Sequence, residues 1–161
     1  MASSWQQLRA CIHDPQTSFC LFNTDIIIPS LDSLSITQDK DIWCVRPSRP
    51  CTLIKGGGSN EIVRIPSNYT TVRFHNLNFV GNTTTMEVSG NQCIFSTGHY
   101  QTITLENSTI MKFTRNSGFL QSDGVGIRVT GINNELILDN THFVYVDINM
   151  ILSSSTHLIE H

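Results

Sequence analysis

Apolar and polar residues alternate over three segments that align with one another without gaps, 72–79, 103–110 and 136–143. Each segment has the pattern apolar-x-apolar-x-Asn-x-x-apolar. The asparagines, Asn76, Asn107 and Asn140, lie 31 and 33 residues apart. A period of this length is compatible with one coil of a β-solenoid and a loop, so the spacing predicts stacked coils.

Alternation over four positions places the apolar side chains of each segment on one face of a β-strand. Asparagine is the non-glycine residue best able to adopt a positive φ, so we expect it to turn the chain into the next strand. If the coils stack in register, Asn76, Asn107 and Asn140 form a ladder of side-chain hydrogen bonds. Such a ladder satisfies polar groups that are costly to bury at a corner.

A further short apolar stretch precedes each segment, at 62–65, 93–95 and 127–129. An earlier and less regular coil includes 26–29, 34–36 and 42–45, with Gln38 or Asp39 near the asparagine position. The sequence therefore predicts an all-β fold, a right-handed parallel β-helix of about four coils that occupies residues 20–150.

The two ends of the chain differ. Residues 4–12 have helical spacing, with Ser4 as a candidate N-cap and Trp5, Leu8 and Ile12 on one face. A short amphipathic helix here is expected to cap the first coil and cover its open edge. Residues 151–161 are expected to form either a tail or a final strand, and the whole chain, 1–161, is predicted to be a single domain.

Composition and charge narrow the classes of partner. Only 14% of the residues are charged, and 10 Lys+Arg against 13 Asp+Glu give a net charge of −3 without any run of like charge. This pattern argues against nucleic-acid binding. The longest apolar run, near 26–28, is far shorter than the roughly 20 residues of a membrane span, and residues 1–9 lack the apolar core of a signal peptide. No cofactor is predicted.

The five cysteines leave two interpretations open. Disulfides between Cys11 and Cys20 and between Cys44 and Cys51 would each close a short loop and leave Cys93 unpaired. The alternative is five reduced, partly buried thiols. Their spacing does not match a thiolate metal site, so no metal is predicted. Three N-x-[ST] sequons give weak support to a secreted protein and are centred on Asn68, Asn82 and Asn107.

Several segments resemble one known group of proteins. These are the amino-terminal helix and residues 18–22, 42–45, 51–58 and 72–81. They are similar to the right-handed parallel β-helix, or pectate-lyase-like, superfamily, and in particular to small secreted β-helix proteins of microalgae. The resemblance implies a disulfide between Cys44 and Cys51. The superfamily includes lyases, hydrolases, epimerases and adhesins, so the resemblance favours a fold more than an activity.

Candidate chemistry lies on the outward faces of the strands. His75, Glu106 and Asp139 precede the three asparagines, so stacked coils place them about 4.8 Å apart as candidate catalytic groups. Exposed strand residues of this kind more commonly serve solubility and cross-strand pairing. Arg64 and Arg128 occupy equivalent places on the preceding strands, and together with Arg73 they are candidates for binding a sugar carboxylate or sulfate. The two tryptophans, Trp5 and Trp43, are expected to pack against the core or the cap. Stacking on a sugar ring is the alternative for either.

Three classes of function remain. The leading hypothesis is a non-catalytic β-solenoid, secreted or at the cell surface, that binds a polysaccharide or another protein. The second is a carbohydrate-active enzyme, a polysaccharide lyase or glycosidase, that uses outward carboxylates such as Glu106 and Asp139. The third is a structural segment of a larger assembly that associates through the last coil. The fold by itself does not choose between them.

Overall fold

The computed structural model describes residues 1–30, 32–56, 61–81, 92–114 and 124–161. It confirms the predicted class: one short helix precedes three parallel sheets whose strands stack as a parallel β-helix. The helix is α1 (Trp5–His13), and the strands are β1 (Phe19–Phe22), β2 (Ile26–Ile28), β3 (Leu34–Ser35), β4 (Lys40–Cys44), β5 (Cys51–Lys55), β6 (Val63–Ile65), β7 (Thr71–His75), β8 (Leu77–Val80), β9 (Gln92–Ser96), β10 (Thr102–Glu106), β11 (Thr109–Phe113), β12 (Val125–Val129), β13 (Glu135–Asp139), β14 (His142–Val146), β15 (Ile148–Leu152) and β16 (His157–Glu160).

Every third strand belongs to the same sheet. Sheet 1 has the order β1-β4-β7-β10-β13-β16, sheet 2 the order β2-β5-β8-β11-β14, and sheet 3 the order β3-β6-β9-β12-β15. The described strands therefore make five coils of three strands each, and β16 adds one more strand to sheet 1. The sequence predicts about four coils because the early part of the chain lacks the asparagine signal and only one coil is recognised there, at 26–29, 34–36 and 42–45. The structure adds β1 and β5, which lie outside those segments.

Inward side chains from the three sheets form one continuous core. On β10, Ile103 and Leu105 are fully buried, as are Val72 and Phe74 at the same register on β7. The Phe74 ring meets Phe79 of β8 edge to face, with ring centroids 5.4 Å apart. The alternation seen in the sequence therefore marks the core face of each strand correctly.

The asparagines turn the chain from sheet 1 into sheet 2. Asn76, Asn107 and Asn140 have φ angles of 59°, 47° and 47°, the left-handed region in which asparagine is favoured over other non-glycine residues. Asn140 Nδ2 donates to Asn107 Oδ1 at 2.7 Å, and Asn76 Nδ2 donates to the Cys44 carbonyl at 3.5 Å.

The same corner in the earlier coils lacks asparagine. Because Trp43 pairs with His75, the residue level with Asn76 is Cys44, and the expectation of Gln38 or Asp39 at this position was wrong. Both of those residues precede β4 and lie at the corner where the chain enters sheet 1.

That second corner, before the strands of sheet 1, has its own buried polar column. Gln101 Nε2 donates to the carbonyls of Ile65 and Ser67 at 3.1 and 2.6 Å, and its Oε1 accepts from the Ser96 hydroxyl. Asn134, one coil later, accepts from the Gln101 backbone N–H at 2.8 Å. These contacts satisfy side chains that are otherwise costly to bury.

Helix α1 covers the first coil, as predicted. Ser4 caps it by accepting from the Gln7 N–H, and the buried face consists of Trp5, Leu8 and Ile12.

The Cys11–Cys20 disulfide joins the helix to β1. A second disulfide, Cys44–Cys51, closes the loop between β4 and β5, whereas Cys93 is free and buried. The disulfide interpretation of the cysteines is confirmed in both pairs.

The last coil is the least enclosed. Residues 151–161 include β16, so the final-strand alternative is the correct one. Inward apolar residues of this coil are only half-buried, among them Phe143, Val146, Met150, Leu152 and Leu158. Association through this coil stays a prediction. Within the described residues, no helix is long and apolar enough to cross a membrane.

Candidate functional site

Sheet 1 aligns two columns of outward side chains. Leu21, Trp43, His75, Glu106 and Asp139 occupy one register position on five successive strands. Two residues earlier on each strand, the second column contains Phe19, Asp41, Arg73, Thr104 and Ile137. The three residues predicted as candidate acids and bases, His75, Glu106 and Asp139, therefore share one face.

Trp43 and His75 stack against each other. Their ring centroids are 3.8 Å apart and the ring planes differ by 16°. His75 is 7% exposed, whereas Trp43 remains 38% exposed on the outer face. The stacking holds the indole in a fixed orientation while part of its surface faces solvent.

His75 lies between two carboxylates from neighbouring coils. Its Nδ1 is 2.8 Å from Glu106 Oε2, and its Nε2 is 3.6 Å from Asp41 Oδ1. Among the described residues, His75 Nε2 and Asp41 Oδ1 are both buried and have no hydrogen-bond partner. A neutral imidazole donates from only one nitrogen, whereas an imidazolium donates from both.

Arg73 extends this group of charges. Its guanidinium lies 3.7 Å from Asp41 Oδ2, so Asp41 faces both Arg73 and His75. A cavity of about 300 Å³ adjoins these side chains and is lined by Ser18, Asp39, Lys40, Asp41, Thr71 and Arg73. We refer to Asp41, Trp43, Arg73, His75 and Glu106 as the Trp43 surface.

The predicted arginine cluster does not form as a unit. Arg64 and Arg128 lie in one column on sheet 3, with Phe95 between them, whereas Arg73 is on sheet 1. Arg64 forms an ion pair with Glu61, and its guanidinium carbon lies 5.4 Å from the centroid of the Phe95 ring. The hydrogen bond to Glu61 raises the pKa of Arg64 against the opposing effect of burial.

The prediction that Trp43 packs against the core or cap is wrong. Trp5 does pack under the cap, where its indole N–H donates to Asp32 at 3.1 Å, but Trp43 faces outward. The sequence pattern of β4 indicates an outward Trp43, because its neighbours Ile42 and Cys44 both face inward and side chains alternate along a strand. Asp41 was missed because its partners Arg73 and His75 come from the next coil.

Of the other predicted residues, Asp139 adjoins the Trp43 surface and the sequon asparagines do not belong to it. Asp139 follows Glu106 in the same column and is exposed. Asn68 and Asn107 are exposed at corners, and the third sequon, at Asn82, lies outside the described residues. Within the described part of the chain, no group of three or more His, Cys, Asp or Glu side chains is arranged to hold a metal ion.

No family model, curated protein or solved structure matches the chain in the three comparisons. The resemblance to the pectate-lyase-like superfamily therefore rests on the sequence segments quoted above and stays a hypothesis.

Proposed function

We propose that this protein is a non-catalytic β-helix module, secreted or at the cell surface, that binds a neutral polysaccharide on the outer face of sheet 1. One observation carries the proposal: the Trp43 indole is fixed against His75 and still 38% exposed, beside the carboxylate of Asp41 and the guanidinium of Arg73. A rigid, partly exposed aromatic side chain with polar groups beside it is suited to the apolar surface and the hydroxyl groups of a pyranose ring.

The charges near Trp43 favour a neutral sugar. Asp41, Glu106 and Asp139 place three carboxyl groups on this face, whereas Arg73 is the neighbouring cationic group and faces Asp41. The His75 ring lies between the carboxylates of Asp41 and Glu106. Carboxylates accept hydrogen bonds from sugar hydroxyls but repel a uronate or a sulfate. Arg64, which the sequence suggested for an anionic sugar, is already paired with Glu61.

Several contacts favour binding without turnover. Glu106 Oε2 is within hydrogen-bonding distance of His75 Nδ1, and Asp41 faces both Arg73 and His75. Carboxylates held in this way orient polar groups for recognition.

The two disulfides support an oxidising compartment, which agrees with secretion or a cell-surface location.

A carbohydrate-active enzyme is the second candidate because Glu106 and Asp139 are paired in register on adjacent strands. Neighbouring strands lie about 4.8 Å apart, and retaining glycosidases hold their two carboxyl groups at about 5 Å. In this alternative one of the two groups acts as the acid and the other as the nucleophile.

The test is calorimetric titration of the folded protein with cellohexaose, mannohexaose, xylohexaose and the anionic hexagalacturonate, followed by product analysis. We expect a neutral hexasaccharide to bind without being cleaved. Trp43→Ala should weaken this binding at least tenfold, whereas Tyr145→Asn, which alters an exposed aromatic residue on sheet 2, should leave it unchanged.

Two kinds of result would overturn the proposal. Failure of all the neutral saccharides to bind, or binding of hexagalacturonate alone, would exclude neutral polysaccharide recognition by this surface. Release of shorter products, abolished by Glu106→Gln or Asp139→Asn, would establish the enzyme instead. Urea unfolding of each variant shows whether a loss of binding reflects a loss of folded protein.

A further inference from the structure

Tyr69 and Tyr100 form an exposed aromatic pair at the corner where the chain enters sheet 1. Tyr69 precedes β7 and Tyr100 precedes β10, one coil later. Their rings are parallel within 4°, with centroids 5.1 Å apart. Tyr69 is 73% exposed and Tyr100 48% exposed, so the pair leaves a large aromatic area in contact with solvent.

Both tyrosines have a backbone conformation that bulky residues rarely adopt. Each has a φ of 56°, and Asn133 at the same position of the following coil has a φ of 54°. The turn is the same in both places, since Tyr69 N–H donates to the His99 carbonyl at 2.9 Å and Tyr100 N–H donates to the Ile132 carbonyl at 3.1 Å. Asparagine tolerates this region better than tyrosine does.

The corner therefore requires a residue that adopts a positive φ, but it does not require an aromatic side chain. Asn133 forms the same turn without a ring, so neither Tyr69 nor Tyr100 is explained by the backbone. Their exposure shows that the rings contribute little to the core. Two stacked, exposed rings on this backbone, where the turn needs no ring, point to a functional role for the pair.

The tyrosine pair precedes β7 and β10, and the far ends of these strands carry His75 and Glu106 of the Trp43 surface. Trp43 itself is on the neighbouring strand β4, level with His75. Tyr69 is six residues before His75, and Tyr100 is six residues before Glu106. At about 3.3 Å per residue, the two sites are roughly 20 Å apart along the strands. Outward side chains between them present hydroxyl groups and one guanidinium, from Thr71, Thr102, Thr104 and Arg73.

We propose that Tyr69 and Tyr100 form a second stacking site for the same neutral polysaccharide, so that the bound chain follows the strands across sheet 1 instead of the axis of the β-helix. This inference rests on the proposed function. Pyranose rings stack on the tyrosine pair at one end and on Trp43 at the other, and the polar residues between them contact the intervening hydroxyl groups.

The test compares two probes on the double variant Tyr69→Asn/Tyr100→Asn, which gives both positions the residue found at Asn133. The probes are the neutral hexasaccharide that binds most tightly in the titrations above and the disaccharide of the same repeat. We expect the double variant to weaken hexasaccharide binding about tenfold, which corresponds to about 1.4 kcal/mol, and to leave disaccharide binding at Trp43 unchanged.

The outcomes separate this inference from the proposed function. Unchanged hexasaccharide affinity in the double variant, with wild-type binding intact, overturns the second site but not the Trp43 site. A lower urea midpoint with unchanged affinity shows that the rings stabilise the corner, which also overturns the second site. If wild-type protein binds no neutral saccharide, both proposals fail.

Discussion

Lys40 donates to the carbonyl of Asp14, the C-cap residue of helix α1, across a separation of 26 residues in sequence. The distance from Lys40 Nζ to Asp14 O is 2.8 Å, and the same ammonium donates to the carbonyls of Cys11, at 3.1 Å, and Thr17. Lys40 is 2% exposed, and this burial lowers its pKa against the opposing charge of Asp14. The lysine therefore fastens the end of the cap to sheet 1.

Replacing Lys40 with methionine should loosen the cap. Lys40→Met keeps the length of the side chain but leaves the three carbonyls without this donor, so we expect unfolding free energy to fall by about 1–3 kcal/mol. Urea unfolding measures the loss, and limited proteolysis should show faster cleavage before β1. Lys112→Met, at an exposed lysine, serves as the control and should change stability by less than about 0.5 kcal/mol. Equal stability of the two variants would contradict this role for Lys40.

The asparagine corners could be predicted because their backbone restricts the residue type. A positive φ at the same place in successive coils favours asparagine each time, and this produces a period that can be read directly from the chain. The first two coils lack that signal. Phe22 and Cys44 occupy the corner position there, and a loop closed by the Cys44–Cys51 disulfide follows the second.

The contacts of Lys40 and Asp41 could not be predicted in the same way. Backbone carbonyls accept the hydrogen bonds of Lys40, and a carbonyl gives no residue-specific pattern in the sequence. Asp41 faces Arg73 and His75 only because β4 and β7 pair in one particular register. Predicting the Trp43 surface would have required that register, and the less regular coil before residue 62 did not supply it.

The two disulfides should make separate contributions to stability. The Cys44–Cys51 bridge spans seven residues and Cys11–Cys20 spans nine. Closing loops of this size constrains the unfolded chain by about 2–3 kcal/mol each. We expect Cys44→Ala/Cys51→Ala to lose about that amount in urea unfolding. If reducing agent destabilises this variant as much as the wild type, the bridge contributes nothing.

Cys93 should resist alkylation until the protein unfolds. Burial raises the pKa of its thiol well above the usual value, and the side chain is 0% exposed. The thiolate is the reactive form, so native protein is expected to take up no iodoacetamide. Mass spectrometry should show one adduct in urea without reductant and five with it, matching the five cysteines of the chain. Rapid labelling of native protein would show that Cys93 is accessible.

Asp25 should make stability depend on acidic pH. Burial would raise its pKa, but hydrogen bonds from Arg49 and the Thr52 N–H, with the charges of Arg46 and Arg49, outweigh burial and lower it below the ordinary 3.8. A carboxyl whose pKa is lower in the folded state stabilises the fold above about pH 4 and loses this effect as pH falls through its folded pKa.

Asp25→Asn removes that dependence. At pH 7 the variant should be less stable by about 1 kcal/mol, a figure reduced for partial solvent exposure, and the difference should shrink towards pH 2. Urea unfolding at a series of pH values checks this, with Glu160→Gln, at an exposed carboxylate on β16, as the control. A difference between wild type and Asp25→Asn that does not vary with pH would contradict the assignment.

Substitutions at Asn107 should separate the stability that comes from its positive φ from the stability that comes from its hydrogen bond to Asn140. Asn107 has a φ of 47° and accepts from Asn140 Nδ2 at 2.7 Å. Glycine adopts this φ freely but loses the hydrogen bond, so we expect Asn107→Gly to cost about 1 kcal/mol. Alanine loses the bond and also strains the backbone, so Asn107→Ala should cost about 2 kcal/mol or more. Asn149, an exposed residue of β15, serves as the control. Glycine weakens an ordinary strand, so Asn149→Gly should there be more destabilising than Asn149→Ala. If alanine is no worse than glycine at Asn107, the left-handed corner does not determine the residue there.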